Sequence, residues 1–364
     1  MIAPLAGLRA FAAIWVVCHH LRPAPAGVSQ LFDLGYLGVD LFGFLSGFVM
    51  TYHYAEPLAA RRTADRLHFL WLRAVRIFPL HWFALALLVA ARLALPGFGM
   101  RPADASRYGA GDLAQQILMV HGWGIADRLA WNVPSWTVSS EWLCYLAFPF
   151  AAPAIARLRS AAGCAALAAA AIVATAVALA AAGHRDFNAA IDWGWLRIGG
   201  EFLAGCFLER AWALGFARGT RWDAIAIAAL GAAAAFVVFD RPVAVVGSFA
   251  VLVLALAHQS GPLARALAWR PIVFLGDASY AVYLMHWVVL RVLLYTRLAP
   301  IPLTNRETGW GTIAVDFVWV AAAAIAAHLA FDVPIRRRLR GLVARPAPPA
   351  PAPRATTSTA APAE

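Results

Sequence analysis

Ten apolar runs constrain this chain more than anything else in it. They fall near residues 5–22, 36–54, 75–95, 136–156, 160–182, 193–213, 222–239, 242–258, 271–296 and 310–332. Each approaches the roughly 20 residues that an α-helix needs to cross the hydrocarbon core of a bilayer. The polar turn "FDRPV" at 239–243 has to separate a helical hairpin. Composition points the same way: 62% of the 364 residues are hydrophobic and 13% are charged, a charged share about half that of a soluble domain. The expectation is an all-α integral membrane protein, a multi-pass bundle of about ten transmembrane helices.

The net charge is +11, yet all thirty basic residues are arginine and none is lysine. That usage, with the heavy use of alanine, points to GC-rich bacterial coding rather than to a nucleic-acid partner. Short cytoplasmic loops hold the excess of basic residues. With the N-terminus inside, the inner set, which includes Arg61, Arg62, Arg66, Arg157, Arg159, Arg218, Arg221, Arg265 and the run from Arg336 to Arg345, outnumbers the outer set. Both termini are therefore expected in the cytoplasm, with the protein in a bacterial inner membrane. The first apolar stretch lacks a charged n-region and a small-residue cleavage site, and reads as a retained span. Cys18, Cys144, Cys164 and Cys206 lie singly in apolar segments without metal-ligand spacing, so they read as buried thiols, and no metal site is expected.

Residues 1–340 read as one transmembrane domain and 341–364 as a cytoplasmic tail. From Pro346 that tail, "PAPPAPAPRATTSTAAPAE", is Pro/Ala-rich low complexity and is expected to be disordered. The 96–135 segment is the longest outer loop, rich in Gly, Pro and Trp. It holds an amphipathic helix at "GDLAQQILMV" and is placed to cap a site.

Ionisable groups inside a membrane are costly and mark function by default. In "LAGLRAFAAIWVVCHHLRP" the first run carries Arg9, His19 and His20. Eleven residues separate Arg9 from His20, about 1100° of helix, so the two share a face about 16 Å apart along the axis. That length is comparable with an extended linear substrate arm. His19 falls well off that line. The alternative is that Arg9 snorkels to headgroups while both histidines sit at the outer interface. In "GYLGVDLFGFLSGFVM", Asp40 shares a stripe with Gly43 and Gly47, a small-residue pattern that lets another helix approach. Asp40 is expected to pair with a histidine or arginine of the first helix, as glue or to orient an imidazole.

Arg73 and Arg76 lie one turn apart where the third helix is expected to begin. They make either a phosphate site at a helix N-terminus or ordinary positive-inside anchoring. Glu141 enters the outer end of the fourth helix in "WNVPSWTVSSEWLCYLAFPF", as a functional acid or as part of an interfacial belt with its caps. Arg197 and Glu201, at i and i+4, read as a buried pair. Ser279, Tyr283 and His286 line one stripe, with His286 read as a hydrogen-bonded core residue more readily than as a ligand contact.

Taken in order, these pieces resemble the acyltransferase 3 family of membrane proteins. The matching pieces are Arg9 to His20 as R-x10-H, "GYLGVDLFGFLSGF", the RxxR of Arg73 and Arg76 before "IFPLHW", "PSWTVSSEWLCYLAFPF", "GEFLAG", "GDASYAVYLMHW" and the terminal "FDVPIRRRL". The resemblance implies acyl transfer from acyl-CoA to hydroxyls of sugars and related acceptors. It also implies that Arg9 and His20 are required and that Arg73 and Arg76 handle the donor. Gly43, His81 and Asp332 with Val333 depart from the family pattern and bear on the outer shape of the pocket.

The expected function is O-acylation, most simply O-acetylation, of a cell-envelope or exported glycan, with acyl-CoA as donor substrate and no tightly bound cofactor. The acceptor is a glycan or a lipid-linked sugar. Arg73 and Arg76 would hold the donor phosphates and Arg9 would line its channel. His20 would act as general base or as an acylated nucleophile, with Asp40 and Glu141 orienting groups or binding the acceptor. The competing class, a transporter or flippase, would show broken helices and inverted repeats, and neither stands out.

Overall fold

A computed structural model describes residues 2–21, 28–60, 62–94, 96, 105–296 and 310–343. The proline-rich tail from Pro346 and the loop arginines Arg22, Arg61, Arg101, Arg297 and Arg306 lie outside the described residues. No strand occurs among the described residues.

The helices follow the apolar runs closely: α1 (Ala3–His20), α2 (Ser29–Asp33), α3 (Gly38–Ala59), α4 (Thr63–Ala94), α5 (Ala110–Leu118), α6 (Trp136–Ala156), α7 (Ala161–Ala181), α8 (Gly194–Ala213), α9 (Trp222–Val238), α10 (Pro242–Ala257), α11 (Gly261–Leu267), α12 (Arg270–Thr296), α13 (Trp310–Ala327) and α14 (Val333–Arg340). Five helical stretches are long and apolar enough to cross a membrane, or six if the pair α10 and α11, bent by 88°, counts as one span. Four of the remaining runs fall short for identifiable reasons. Helix α9 has 17 residues and α10 has 16. Helix α8 carries Arg197, Glu201, Glu209 and Arg210, and α1 carries Arg9, His19 and His20. The sharp turn into α11 passes Gly261, whose φ of +82° is one a Cβ would strain.

Helix α3 packs on α8, α8 on α7, α1 on α12 and α9 on α10. The glycine stripe of α3 explains the first of these contacts. A side chain at Gly47 would strike the Phe202 carbonyl, and one at Gly205 the Phe44 carbonyl, so each helix supplies a glycine to the other's backbone. Helices α1 and α12 run in the same direction. Gly276 lies against the Ala6 carbonyl at one end, and His286 meets His20 at the other.

Three expectations are corrected by the fold. Helix α4 begins at Thr63, so Arg73 and Arg76 lie well inside it, about three turns in. Their backbone amides are used within the helix, and only the guanidiniums remain to bind a ligand. Arg197 does not pair with Glu201, and Asp40 does not pair with the first helix. Asp40 and Arg197, both fully buried, pair with each other across α3 and α8, at 2.7 Å through Nε and 2.5 Å through Nη2. A planar fork facing a carboxylate across the helix contact gives two parallel bonds, which an i, i+4 partner on its own helix does not match here.

Candidate active site

Arg9 opens into a cavity of about 610 Å³ lined by α1, α3, α4, α6, α12, the turn that ends at Asp332 and α14. Its charged lining is five arginines, Arg9, Arg73, Arg76, Arg336 and Arg340, against two acids, Glu141 and Asp277. Arg9, Arg76 and Glu141, far apart in sequence, therefore share one wall. The excess of positive charge fits an anionic ligand, because guanidiniums that outnumber the acids in a low-dielectric surround are stabilised by a further charge of opposite sign.

The arginines are aimed by aromatic and acidic neighbours. Arg73 Nη2 donates to the Tyr54 hydroxyl at 3.0 Å, with its guanidinium 5.1 Å from that ring's centroid. Arg76 lies over the Tyr280 ring at 5.1 Å and reaches Asp332 at 3.4 Å. Asp332 ends a π-helical turn, His328–Asp332, between α13 and α14. Its carboxylate also takes Arg336 at 2.8 Å and His328 at 3.2 Å. Glu141, in the second turn of α6, faces this cavity rather than an outer interface.

The cavity stops short of the histidines. Phe42 and Tyr283 meet edge to face at 5.8 Å, and the Tyr283 hydroxyl is held by Thr137 at 2.7 Å and by the Pro134 carbonyl at 2.8 Å. One turn beyond Tyr283 stands His286, which is fully buried, and its Nε2 lies 3.3 Å from His20 Nδ1. His286 Nδ1 lies 3.2 Å from the Val282 carbonyl and His20 Nδ1 lies 2.9 Å from the Val16 carbonyl. A carbonyl only accepts, so both Nδ1 atoms carry the proton. The one His20 Nδ1 proton is then shared between the Val16 carbonyl, which is nearer, and His286 Nε2, and the lone pair of His20 lies on Nε2. Trp287 packs edge-on against the His20 ring at 5.3 Å.

His19 turns away, as the helical geometry predicts. Its Nδ1 faces the Phe32 and Asp33 carbonyls at 3.2 and 3.0 Å, and its ring meets Tyr36. Asp40 lines neither the cavity nor the histidine pair, being held by Arg197. The loop ahead of α6 is fastened over α12 near the histidines: Trp287 donates to the Trp131 carbonyl at 2.9 Å, and Asn132 to the Leu284 carbonyl at 3.3 Å.

A sequence model described as an acyltransferase domain matches residues 3–332, nearly the whole chain. The chain belongs to this acyltransferase family. It is similar to the acyltransferase MdmB of Streptomyces mycarofaciens, 30% identical over 158 residues, which take in 40% of this chain and 38% of MdmB. It is also similar to the exopolysaccharide production protein ExoZ of Rhizobium meliloti, 28% identical over 326 residues, 85% of this chain and 92% of ExoZ. No solved structure matches the acyltransferase.

Arg9, Arg73, Arg76 and Glu141, singled out in the sequence, line one cavity, whereas the contact between His286 and His20 was not legible there. Nor was the place of Asp277, Arg336 and Arg340 in that cavity. The i, i+4 spacing of the last two was the available signal for a shared face.

Proposed function

We propose that this protein is a bacterial inner-membrane O-acyltransferase that moves an acyl group, most simply acetyl, from acyl-CoA to a hydroxyl of an envelope or exported glycan. One observation carries the reading: the R-x10-H pair of a family acyltransferase opens at Arg9 into an arginine-walled cavity and meets a second histidine at His20. In this reading the ten helical runs are ten spans, residues 1–340 are the membrane domain and both termini are cytoplasmic. The Arg340 end of the cavity then faces the acyl-CoA pool. Arg73 and Arg76 grip phosphates, Arg9 lines the path of the pantetheine arm, and the thioester passes the Phe42 and Tyr283 pair to reach His20. Glu141 belongs to that path, whereas Asp40 acts on it only through the scaffold.

A sugar hydroxyl is a weak nucleophile near neutral pH. His20 Nε2 takes its proton as the oxygen attacks the thioester carbonyl, the C–S bond breaks, and the CoA sulfur leaves as thiolate and is reprotonated. The Val16 carbonyl holds the proton on His20 Nδ1 and so makes Nε2 the base, with His286 beside the same Nδ1. The resemblance to ExoZ, by name a protein of exopolysaccharide production, supports a saccharide acceptor.

Transfer of label from acetyl-CoA to envelope glycans in membranes tests the reading, with glycan mass spectrometry with and without the gene. Labelled glycan that persists without the gene would overturn it. Reporter fusions test the topology: those after Ala59 and Arg345 should report cytoplasm, and one after Arg107 the outer side. An outer signal at Arg345 would mean an odd number of spans.

A further inference from the structure

We infer that the last helix, α14, forms part of the donor site, with Arg336 and Arg340 as ligands for the phosphate-bearing end of the acyl donor. The inference rests on the acyl-CoA reading above and extends it to a segment that nothing else assigns.

Arg336 and Arg340 are one turn apart on α14 and both line the cavity that holds Arg73 and Arg76. Arg337 and Arg338, between them, do not line it; Arg340 is exposed as they are, and it is the cavity lining that sets it with Arg336. Helix periodicity thus sorts four neighbouring arginines into an inward pair and an outward pair. The inward face is fixed. Helix α14 packs on α4, Trp71 of α4 donates to the Leu339 carbonyl at 3.2 Å, and Arg336 Nε reaches back to the Asp332 carbonyl at 3.2 Å.

Asp332 gathers Arg76 and Arg336 on one oxygen, and its other oxygen is buried without a hydrogen-bond partner among the described residues. One carboxylate therefore holds an arginine from α4 beside an arginine from α14. Even counting Asp332, the five cavity arginines exceed the three nearby acids. A ligand bearing several phosphate charges balances that excess, whereas a single carboxylate or a neutral sugar does not. Guanidiniums on two sides of one cavity suit forked contacts to separate phosphate oxygens.

The test is donor kinetics in membranes, comparing acetyl-CoA with acetyl-pantetheine, which carries the same thioester and no phosphates. Arg336→Gln combined with Arg340→Gln should raise the KM for acetyl-CoA about tenfold or more, as expected for lost charge-assisted hydrogen bonds. The rate at saturation should hold, and kinetics with acetyl-pantetheine should match the wild type. Arg337→Gln combined with Arg338→Gln, which removes the same charge from the outward face, should leave both donors unaffected. An unchanged KM for acetyl-CoA in the inward double variant, or an equal loss toward acetyl-pantetheine, overturns the role of α14 alone. A wild-type protein that does not use acetyl-CoA at all overturns the donor reading beneath it.

Discussion

Arg197 and the cavity arginines are the same residue type in the same bundle, and they live in opposite ways. Arg197 is sealed. Its guanidinium binds Asp40 through Nε and Nη2, donates also from Nη2 to the Tyr36 carbonyl and from Nη1 to the Ala189 carbonyl, and lies near three aromatic rings, those of Tyr36, Trp136 and Phe187. Each guanidinium nitrogen has a partner, and the charge is neutralised on the spot. Arg9, Arg73, Arg76, Arg336 and Arg340 instead face one open cavity holding too few acids for them. A charge satisfied by its own scaffold holds helices together, whereas a charge left facing space is kept for a ligand.

The comparison breaks first at Arg197. Arg197→Gln should cost on the order of 3–5 kcal/mol, because it leaves the Asp40 carboxylate buried without its counter-charge. The expected outcome is loss of the monodisperse species on detergent gel filtration. Arg197→Met with Asp40→Leu should recover much of the folded protein, since removing both charges removes the penalty. A single variant that folds normally would mean that the pair is not what closes α3 on α8. Arg9→Gln, by contrast, should fold normally and fail in transfer.

Next in size is the histidine pair. His20→Ala should lower acetyl transfer by about 10²- to 10⁴-fold, the usual contribution of a positioned acid–base group, with normal membrane insertion. His19→Ala should retain most of the activity, because that ring's Nδ1 faces the Phe32 and Asp33 carbonyls at the end of α2 rather than His286. An inactive His19 variant beside an active His20 variant would move the reacting end to the wrong face of α1.

Smaller effects come from shape at constant charge. Arg73→Lys with Arg76→Lys keeps both charges and loses both planar forks, so the KM for acetyl-CoA should rise several-fold while stability holds. Unchanged donor kinetics would return the pair to membrane anchoring. Smallest of all should be glycine replacements away from contacts. Gly231→Ala in α9 meets nothing within 4 Å and should shift the melting temperature little, whereas Gly47→Ala drives a methyl into the Phe202 carbonyl and should lower it.

The sequence by itself determined where the helices are, because lipid demands long apolar runs and punishes charges within them. Helices α6 to α10 agree with their apolar runs to within a residue or so at each end. It also determined that Arg9 and His20 share a face and that His19 does not, since helical rotation is a local property. The tertiary structure decided who meets whom. Asp40 and Arg197 lie 157 residues apart, and His20 and His286 lie 266 apart. No periodicity within one helix reports a partner on another. The start of α4 was misplaced because "TADRLHFLWLR" is too polar to read as a membrane run, yet packing against α14 keeps it helical. Arg336 and Arg340 looked like one basic cluster with their neighbours until α14 packed on α4 and turned one face of it toward the cavity. Local chemistry fixes each helix and each face. Only the three-dimensional arrangement determines which charges are sealed and which stay open to a ligand, because pairing depends on distances that the chain sets by folding.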